Sequence, residues 1–137
     1  MSNQNIRNIF IRCIPAIFAL LFIFILNGCT PPAECTDIRL QLENEGYMNG
    51  WTYVQDIKTL DDEKDSAGRV LFALYENDSN PGEYAVLHIV KLTVPNSYGC
   101  FAVEATYDSG SNTAKSLNGN KFLSLDVQYD SSGMKVQ

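Results

Sequence analysis

Apolar and polar residues alternate along much of the chain after residue 68, with the period of two that is typical of β-strands. The clearest run covers residues 121–129, where apolar side chains fall on one face and polar ones on the other. Residues 69–75, 84–94 and 100–107 are continuously apolar, or alternate in the same way. A short run at 134–136 follows. Groups of Asn, Asp, Gly, Pro and Ser separate these runs and predict turns.

The segment between Thr36 and Gly46 fits two structures. Ile38, Leu40 and Leu42 alternate with polar residues, as in a strand. With Thr36 as N-cap and Gly46 just beyond the end, the same residues fit a helix. Both interpretations stay open at this stage.

Residues 51–60 (WTYVQDIKTL) are ambiguous in the same way. Trp51 and Tyr53, with a polar residue between them, fit a strand. Tyr53, Ile57 and Leu60 have the spacing of one face of a helix.

Two architectures are consistent with this pattern. The preferred one is mainly β, an antiparallel β-sandwich or meander of about six to seven strands. The alternative is an α+β fold, in which one or two N-terminal helices pack on an antiparallel sheet of about four to five strands.

The first 28 residues have a different pattern. Arg7 and Arg12 precede an unbroken apolar run of 14 residues, from Cys13 to Leu26. A spanning helix needs about 20 apolar residues. A shorter run behind a basic head is typical of a secretory signal peptide.

The run ends in Leu26-Asn27-Gly28-Cys29 and resembles the lipobox of bacterial lipoprotein precursors. That motif reads Leu, a small residue, Gly or Ala, and Cys. Asn27 departs from the preferred second residue. The resemblance implies that the signal is cut before Cys29 and that its thiol receives a diacylglyceryl group. Two or more acyl chains hold a protein stably at a bilayer, whereas one does not.

The resulting domain organisation has three parts. Residues 1–28 are the signal peptide, 29–34 are the lipidated cysteine and a short Pro-rich tether, and 35–137 form one globular domain. In lipoproteins of enteric-type bacteria, Asp after the cysteine favours inner-membrane retention. Thr30 stands there instead. The resemblance therefore implies an outer-membrane lipoprotein that faces the periplasm.

Cysteine usage predicts a disulfide. Of the 4 cysteines, Cys13 leaves with the signal and Cys29 is lipidated. The remaining pair, Cys35 and Cys100, is expected to be oxidised in an exported protein. Two buried, unbonded thiols are the alternative. A zinc site is disfavoured because His88 is the only histidine.

The net charge of the mature chain limits the classes of partner that it can bind. All 16 acidic residues, but only 8 of the 10 basic ones, lie after residue 28, so the mature chain has a net charge of −8. Nucleic-acid binding requires a basic face and is not expected. A cationic partner is favoured over an acidic one.

No set of residues indicates catalysis. His88 lies within an apolar run without a recognisable nucleophile motif, and phosphate-binding and dinucleotide fingerprints are missing from the sequence. We therefore expect a protein that is not an enzyme, with no metal and no small-molecule cofactor. Tyr47, Met48 and Trp51 lie in a Gly- and Asn-rich stretch and form a candidate partner-binding patch.

The functional hypothesis is a lipid-anchored envelope protein. It presents a small acidic domain to another envelope protein, as an accessory in assembly or secretion. The alternative is an inhibitor or immunity lipoprotein that neutralises a toxin or a cationic hydrolase.

Overall fold

The computed structural model describes residues 32–57, 59–60 and 69–137. Every described residue lies in one compact unit, Pro31–Gln137. The predicted signal peptide and Cys29 lie outside the described residues. The elements are α1 (Ala33–Asn44), β1 (Trp51–Ile57), β2 (Thr59–Leu60), β3 (Arg69–Asn77), β4 (Tyr84–Lys91), β5 (Ser97–Asp108), β6 (Thr113–Asp130) and β7 (Gly133–Val136).

Helix α1 follows Pro32, whose extended backbone precedes the first turn. Its end is set by Gly46, which has a φ of +83°. The N–H of Gly46 donates to the carbonyl of Glu43, and the N–H of Tyr47 donates to that of Leu42, both over 3.0 Å. This is the Schellman arrangement, which glycine favours because it enters the left-handed region without a Cβ penalty.

All seven strands belong to one curled sheet, in the order β1-β3-β4-β5-β6-β2, with β7 also paired to β6. From β3 to β7 each strand is antiparallel to the next. Among the described strands, only β2 pairs in parallel, at residues 113–114 of β6. The mainly β prediction with about six to seven strands is confirmed. The strands form a single sheet, however, and not the two packed sheets of a sandwich.

Both faces of the sheet carry apolar side chains. On one face α1 buries Cys35, Ile38 and Leu42 against the sheet, and burying each large aliphatic side chain contributes about 1.5–3 kcal/mol. Their sheet partners include Leu71, Ala73, Tyr75, Leu87, Ile89, Tyr98, Cys100, Ala102 and Val127. A smaller cluster is formed by Ile57, Phe72, Leu74, Val86, Ala105 and Ala114, with Tyr84 and Tyr107 packed against it.

Strand β6 is longer than its predicted core, residues 121–129, because it begins at Thr113. Its pairing with β5 is interrupted: Val103 is opposite Lys121, and Ala105 is opposite Ser116. Residues 117–120 therefore loop out of the ladder. Their Asn-Gly pair, which predicted a turn between strands, forms a bulge within one strand instead.

The structure decides between the two interpretations at the N-terminal end of the domain. Between Thr36 and Gly46 the chain is helical, and the strand interpretation is wrong: Leu40 is 42% exposed, whereas Ile38 and Leu42 are fully buried. Residues 51–57 form a strand. The helix begins at Ala33, two residues before the predicted start of the domain at Cys35.

Candidate functional site

A groove of about 460 Å³ lies at the end of the sheet where β4 begins. Four strands and one turn contribute to it. The register sets Tyr84 directly opposite Ala105, and the curl of the sheet brings in β1 and β6. The groove is lined by Trp51, Gly82, Glu83, Tyr84, Glu104, Ala105, Thr106, Tyr107 and Leu117. No cationic residue is among them. Clefts of this size at the ends of curled sheets are common ligand sites.

Two tyrosines of the lining, Tyr84 and Tyr107, pack against the smaller cluster, whereas Trp51 packs against the cluster beneath the helix. The rings of Tyr84 and Tyr107 lie 5.5 Å apart at 60°. The Tyr107 hydroxyl donates to Asn112 Oδ1 over 2.9 Å and accepts from Gln55 Nε2 over 2.5 Å. Gln55 also donates to Asn112 over 2.8 Å. This triangle links β1 to the β5–β6 turn and holds the Tyr107 ring in place.

A second aromatic pair links β1 to β6 beside the groove. The indole of Trp51 stacks on Phe122 with the ring centroids 5.4 Å apart and the planes at 14°. Phe122 is 44% exposed, and Leu117, from the bulge of β6, is 55% exposed. Both side chains leave apolar surface exposed to solvent.

Two carboxylates belong to the groove. Glu83 Oε2 accepts from Asn77 Nδ2 and from Asn80 Nδ2, each over 3.2 Å, so the β3–β4 turn fixes its position. Glu104 lies opposite the bulge of β6, and its side chain is exposed. The lining thus contains two carboxylates and the indole of Trp51.

A second, larger groove of about 720 Å³ lies by the start of α1 and the β6–β7 turn. Its carboxylates already have partners. Glu34 accepts a hydrogen bond from the Tyr98 hydroxyl over 2.6 Å, and Asp130 accepts from the backbone N–H of Ser132 over 2.7 Å. These bonds serve the folded structure, so this groove is the weaker candidate for a ligand site.

A charged network connects the middle of α1 to the sheet. Arg39 Nη1 contacts Glu43 Oε1 at 2.6 Å, and the Tyr75 hydroxyl donates to the same oxygen over 2.7 Å. The Arg39 guanidinium lies 3.9 Å from the centre of the Tyr53 ring. Burial and the bond to Glu43 raise the pKa of Tyr75 far above its usual value. Because each member already has a partner, the network serves to hold the helix on the sheet.

The three residues of the predicted partner-binding patch separate in the structure. Met48 is 3% exposed and packs in the cluster beneath the helix, so its side chain does not reach a partner. Tyr47 is 38% exposed, and Trp51 is half-buried and lines the groove. A contact of Tyr47 or Trp51 with a partner stays a prediction.

Cys35 and Cys100 are buried in the same apolar cluster, and both are unbonded. Burial raises the pKa of the Cys100 thiol to about 12, and the charge of Cys35 adds to this rise. Burial likewise raises the pKa of Cys35 to about 11. Their disulfide stays a prediction.

His88 lies in the middle of β4 and is 1% exposed. Its ring stacks on Phe101 with centroids 4.2 Å apart and meets the edge of Phe72 at 4.9 Å. Among the described residues, no three of His, Cys, Asp and Glu converge to hold a metal ion. The surroundings of His88 are those of a core side chain.

The chain matches no protein-family model, no curated protein and no solved structure. Within the part of the chain that the structure describes, no helix is long and apolar enough to span a membrane.

The sequence did not indicate the groove. Its members come from β1, β4, β5, β6 and the β3–β4 turn, and no local pattern connects them. A weak signal was present in the Asn118-Gly119 pair, whose glycine has a φ of +66° and allows the bulge that exposes Leu117.

Proposed function

We propose that this protein is a lipoprotein of the bacterial envelope whose acidic domain binds another protein. The observation that carries the proposal is the sequence Leu26-Asn27-Gly28-Cys29, which directly follows the apolar run. Cleavage before Cys29 would remove no described residue, since the first of these is Pro32. The acylated thiol would then anchor the domain in the bilayer, expected to be the outer membrane on its periplasmic side.

The chain between the anchor and the domain is short. Only residues 30–32 separate Cys29 from the first residue of α1. An extended chain spans about 3 Å per residue, so the linker reaches about 10 Å. The domain would therefore work close to the bilayer surface, and its partner would be a membrane protein or one that approaches the membrane.

Lipidation is tested by fatty-acid labelling and by the intact mass of the purified protein. We expect a mature chain that begins at Cys29 and is heavier than its amino acids by the acyl groups. Cys29→Ser should abolish labelling and membrane retention. Cys13→Ser is the matched control, because it removes a thiol from the apolar run and should leave labelling unchanged. An unmodified chain that begins at Met1 would refute the anchor.

The partner surface is supported by the exposed apolar group Phe122 and Leu117 beside Trp51. A photo-crosslinking amino acid at position 117 tests it in intact cells. We expect a discrete adduct with one envelope protein. Position 94 is the control, because Val94 is 57% exposed in the β4–β5 turn, away from the groove residues. Equal adducts from both positions would exclude a specific surface at Leu117.

A second candidate function is inhibition of a toxin or a cationic hydrolase. The net charge of −8 after residue 28 favours it, because an acidic surface accelerates capture of a basic protein. Once the crosslinked partner is identified, the association rate distinguishes the functions. An inhibitor should bind a basic enzyme more slowly as the salt concentration is raised, and it should block the activity of that enzyme. Binding without loss of partner activity would favour the accessory role.

A further inference from the structure

We infer that one end of the domain rests on the phospholipid bilayer and that Val94 and Pro95 enter the lipid interface there. This membrane-facing end consists of the start of α1, the β4–β5 turn (residues 92–96) and the β6–β7 turn (residues 131–132). The inference rests on the proposed function and deepens it, because it assigns the orientation in which the lipid anchor holds the domain.

The start of α1 lies beside both turns. Glu34, in the first turn of the helix, shares a groove with Asn96 of the β4–β5 turn and Ser131 of the β6–β7 turn. The Tyr98 hydroxyl, from the beginning of β5, donates to Glu34 over 2.6 Å. The backbone N–H of Tyr129 donates to the carbonyl of Asn96 over 2.8 Å and ties the two turns together. These contacts place the point where the anchored chain enters the fold at one end of the sheet.

The anchor cannot be far from this end. The backbone N–H of Cys35 donates to the carbonyl of Pro32 over 2.9 Å, so Pro32 is already fixed to the first turn of the helix. An extended chain from Cys29 to Pro32 covers about 10 Å. Strand β5 runs away from this end, and its 12 residues span about 40 Å. The tether is therefore too short for the opposite end of the sheet alone to contact the bilayer.

The β4–β5 turn presents apolar surface at this end. Val94 is 57% exposed, the largest fraction among the exposed large apolar side chains of the described residues, and the neighbouring Pro95 is exposed too. The turn is ordered, because the N–H of Leu92 donates to the carbonyl of Ser97 over 2.9 Å and the N–H of Ser97 to that of Val94 over 3.2 Å. Contact of such a turn with lipid is driven by the apolar area that leaves water.

The charge of the domain favours an apolar contact over an electrostatic one. The chain after residue 28 has a net charge of −8, and Glu34 and Asp130 line the groove at this end. Anionic lipid headgroups repel such a surface. We therefore expect the contact with zwitterionic phospholipid.

This orientation places the partner surface away from the bilayer. The β3–β4 and β5–β6 turns lie at the other ends of the strands and point into the aqueous space. Leu117 belongs to the bulge opposite Val103–Ala105, which lies about 20–26 Å along β5 from Ser97. A partner that contacts Leu117 therefore binds above the membrane surface and not within it.

The test measures contact with lipid by tryptophan fluorescence. The acylated full-length lipoprotein is placed in phosphatidylcholine vesicles whose acyl chains carry bromine, which quenches tryptophan on contact. Trp51 is the only tryptophan of the chain, so Trp51→Phe gives a background without signal. In that background Val94→Trp puts the probe in the β4–β5 turn. Ser79→Trp is the matched control, because it puts the same side chain at an exposed position of the β3–β4 turn.

We expect brominated lipid to remove most of the emission of Val94→Trp and to leave that of Ser79→Trp nearly unchanged. Trp51 of the unaltered protein should also keep its emission. Thr93→Trp, in the same turn, replaces Val94→Trp if circular dichroism shows that the latter does not fold.

Two results would overturn the inference. Equal quenching at positions 94 and 79 would mean that the domain has no fixed orientation or lies on its side. Unquenched emission at both 93 and 94 would mean that the turn does not contact lipid. Both results require a chain that carries lipid at Cys29, which its intact mass establishes first. A chain without that lipid would overturn the proposed function, and the inference with it.

Discussion

Tyr98 on β5 donates a hydrogen bond of 2.6 Å from its hydroxyl to the carboxylate of Glu34, in the first turn of α1. Two more pairs of this kind follow along the helix, Tyr129 with Asp37 and Tyr75 with Glu43, each at 2.7 Å. A helix of 12 residues is marginal in isolation. Its docking on the sheet therefore depends on buried apolar residues together with these three tyrosine–carboxylate bonds.

Removing the Tyr98 hydroxyl should lower the free energy of unfolding. Tyr98 is 3% exposed, and its bond to a charged acceptor is worth about 1–2 kcal/mol. We expect Tyr98→Phe to destabilise the domain by that amount in urea unfolding. Tyr129→Phe is the control, because its bond to Asp37 is exposed and should contribute less. An equal effect of both variants would contradict this assignment.

Stability should decrease at alkaline pH. Burial and hydrogen bonds to carboxylates raise the pKa of Tyr75 and Tyr98 well above the usual value. The unfolded chain loses these protons near pH 10, whereas the folded chain keeps them. Their contribution is therefore complete below about pH 10 and is lost as the pH rises above it. Urea midpoints between about pH 8 and pH 11 should show this decline, with a shallower slope for Tyr75→Phe. A flat profile would refute it.

Removing one residue of the Arg39–Glu43 ion pair should lower the free energy of unfolding more than removing both residues. Arg39 is 9% exposed, and Glu43 accepts from both Arg39 and Tyr75. Glu43→Ala leaves a buried guanidinium without its carboxylate, which should destabilise the fold by about 3 kcal/mol. Glu45→Ala, two residues along the chain and exposed, should change stability by less than about 0.5 kcal/mol.

The double variant Arg39→Met, Glu43→Leu completes the comparison. It removes both charges and keeps much of the volume, so it should be more stable than Glu43→Ala. Thermal unfolding of the single and double variants measures the difference. A double variant that is less stable than Glu43→Ala would contradict this prediction and show that the pair itself contributes net stability.

The thiols of Cys35 and Cys100 should not react with iodoacetamide in the folded protein. Burial raises their pKa values to about 11 and about 12, so little reactive thiolate forms near neutral pH. Lack of reaction in the folded state is therefore no sign of a disulfide. Alkylation must be done in denaturant, with and without a reductant.

We predict that protein isolated from the envelope has no reactive thiols in denaturant until a reductant is added. The disulfide would form by exchange with an oxidised dithiol protein, which gains the two electrons and two protons of the thiols. Reduction of the Cys35–Cys100 disulfide should lower the free energy of unfolding by about 4 kcal/mol on the chain-entropy model. Two thiols that react in denaturant without reductant would refute the pairing.

Local patterns in the sequence were sufficient for most of the strands and turns. The period of two along residues 121–129 and the Asn-Pro-Gly turn before β4 depend only on neighbouring residues, and both correspond to structure. Gly46 likewise indicated where the helix ends. The choice between helix and strand for residues 36–45 needed tertiary information. Ile38 and Leu40 would share one face of a strand. In α1, which packs on the sheet, Ile38 is buried and Leu40 is exposed.

The sequence by itself determined most of the strands and turns, the acidic charge and the lipobox resemblance, because each depends on residues that are neighbours in the chain. Only the tertiary structure decided which residues, distant in the chain, lie together on one surface. The stacking of Trp51 on Phe122 joins residues 71 positions apart in the chain, and the groove draws Glu83 and Glu104 from a turn and a strand. Such contacts follow from strand register and sheet curl, which depend on the packing of the whole chain and leave no local signature.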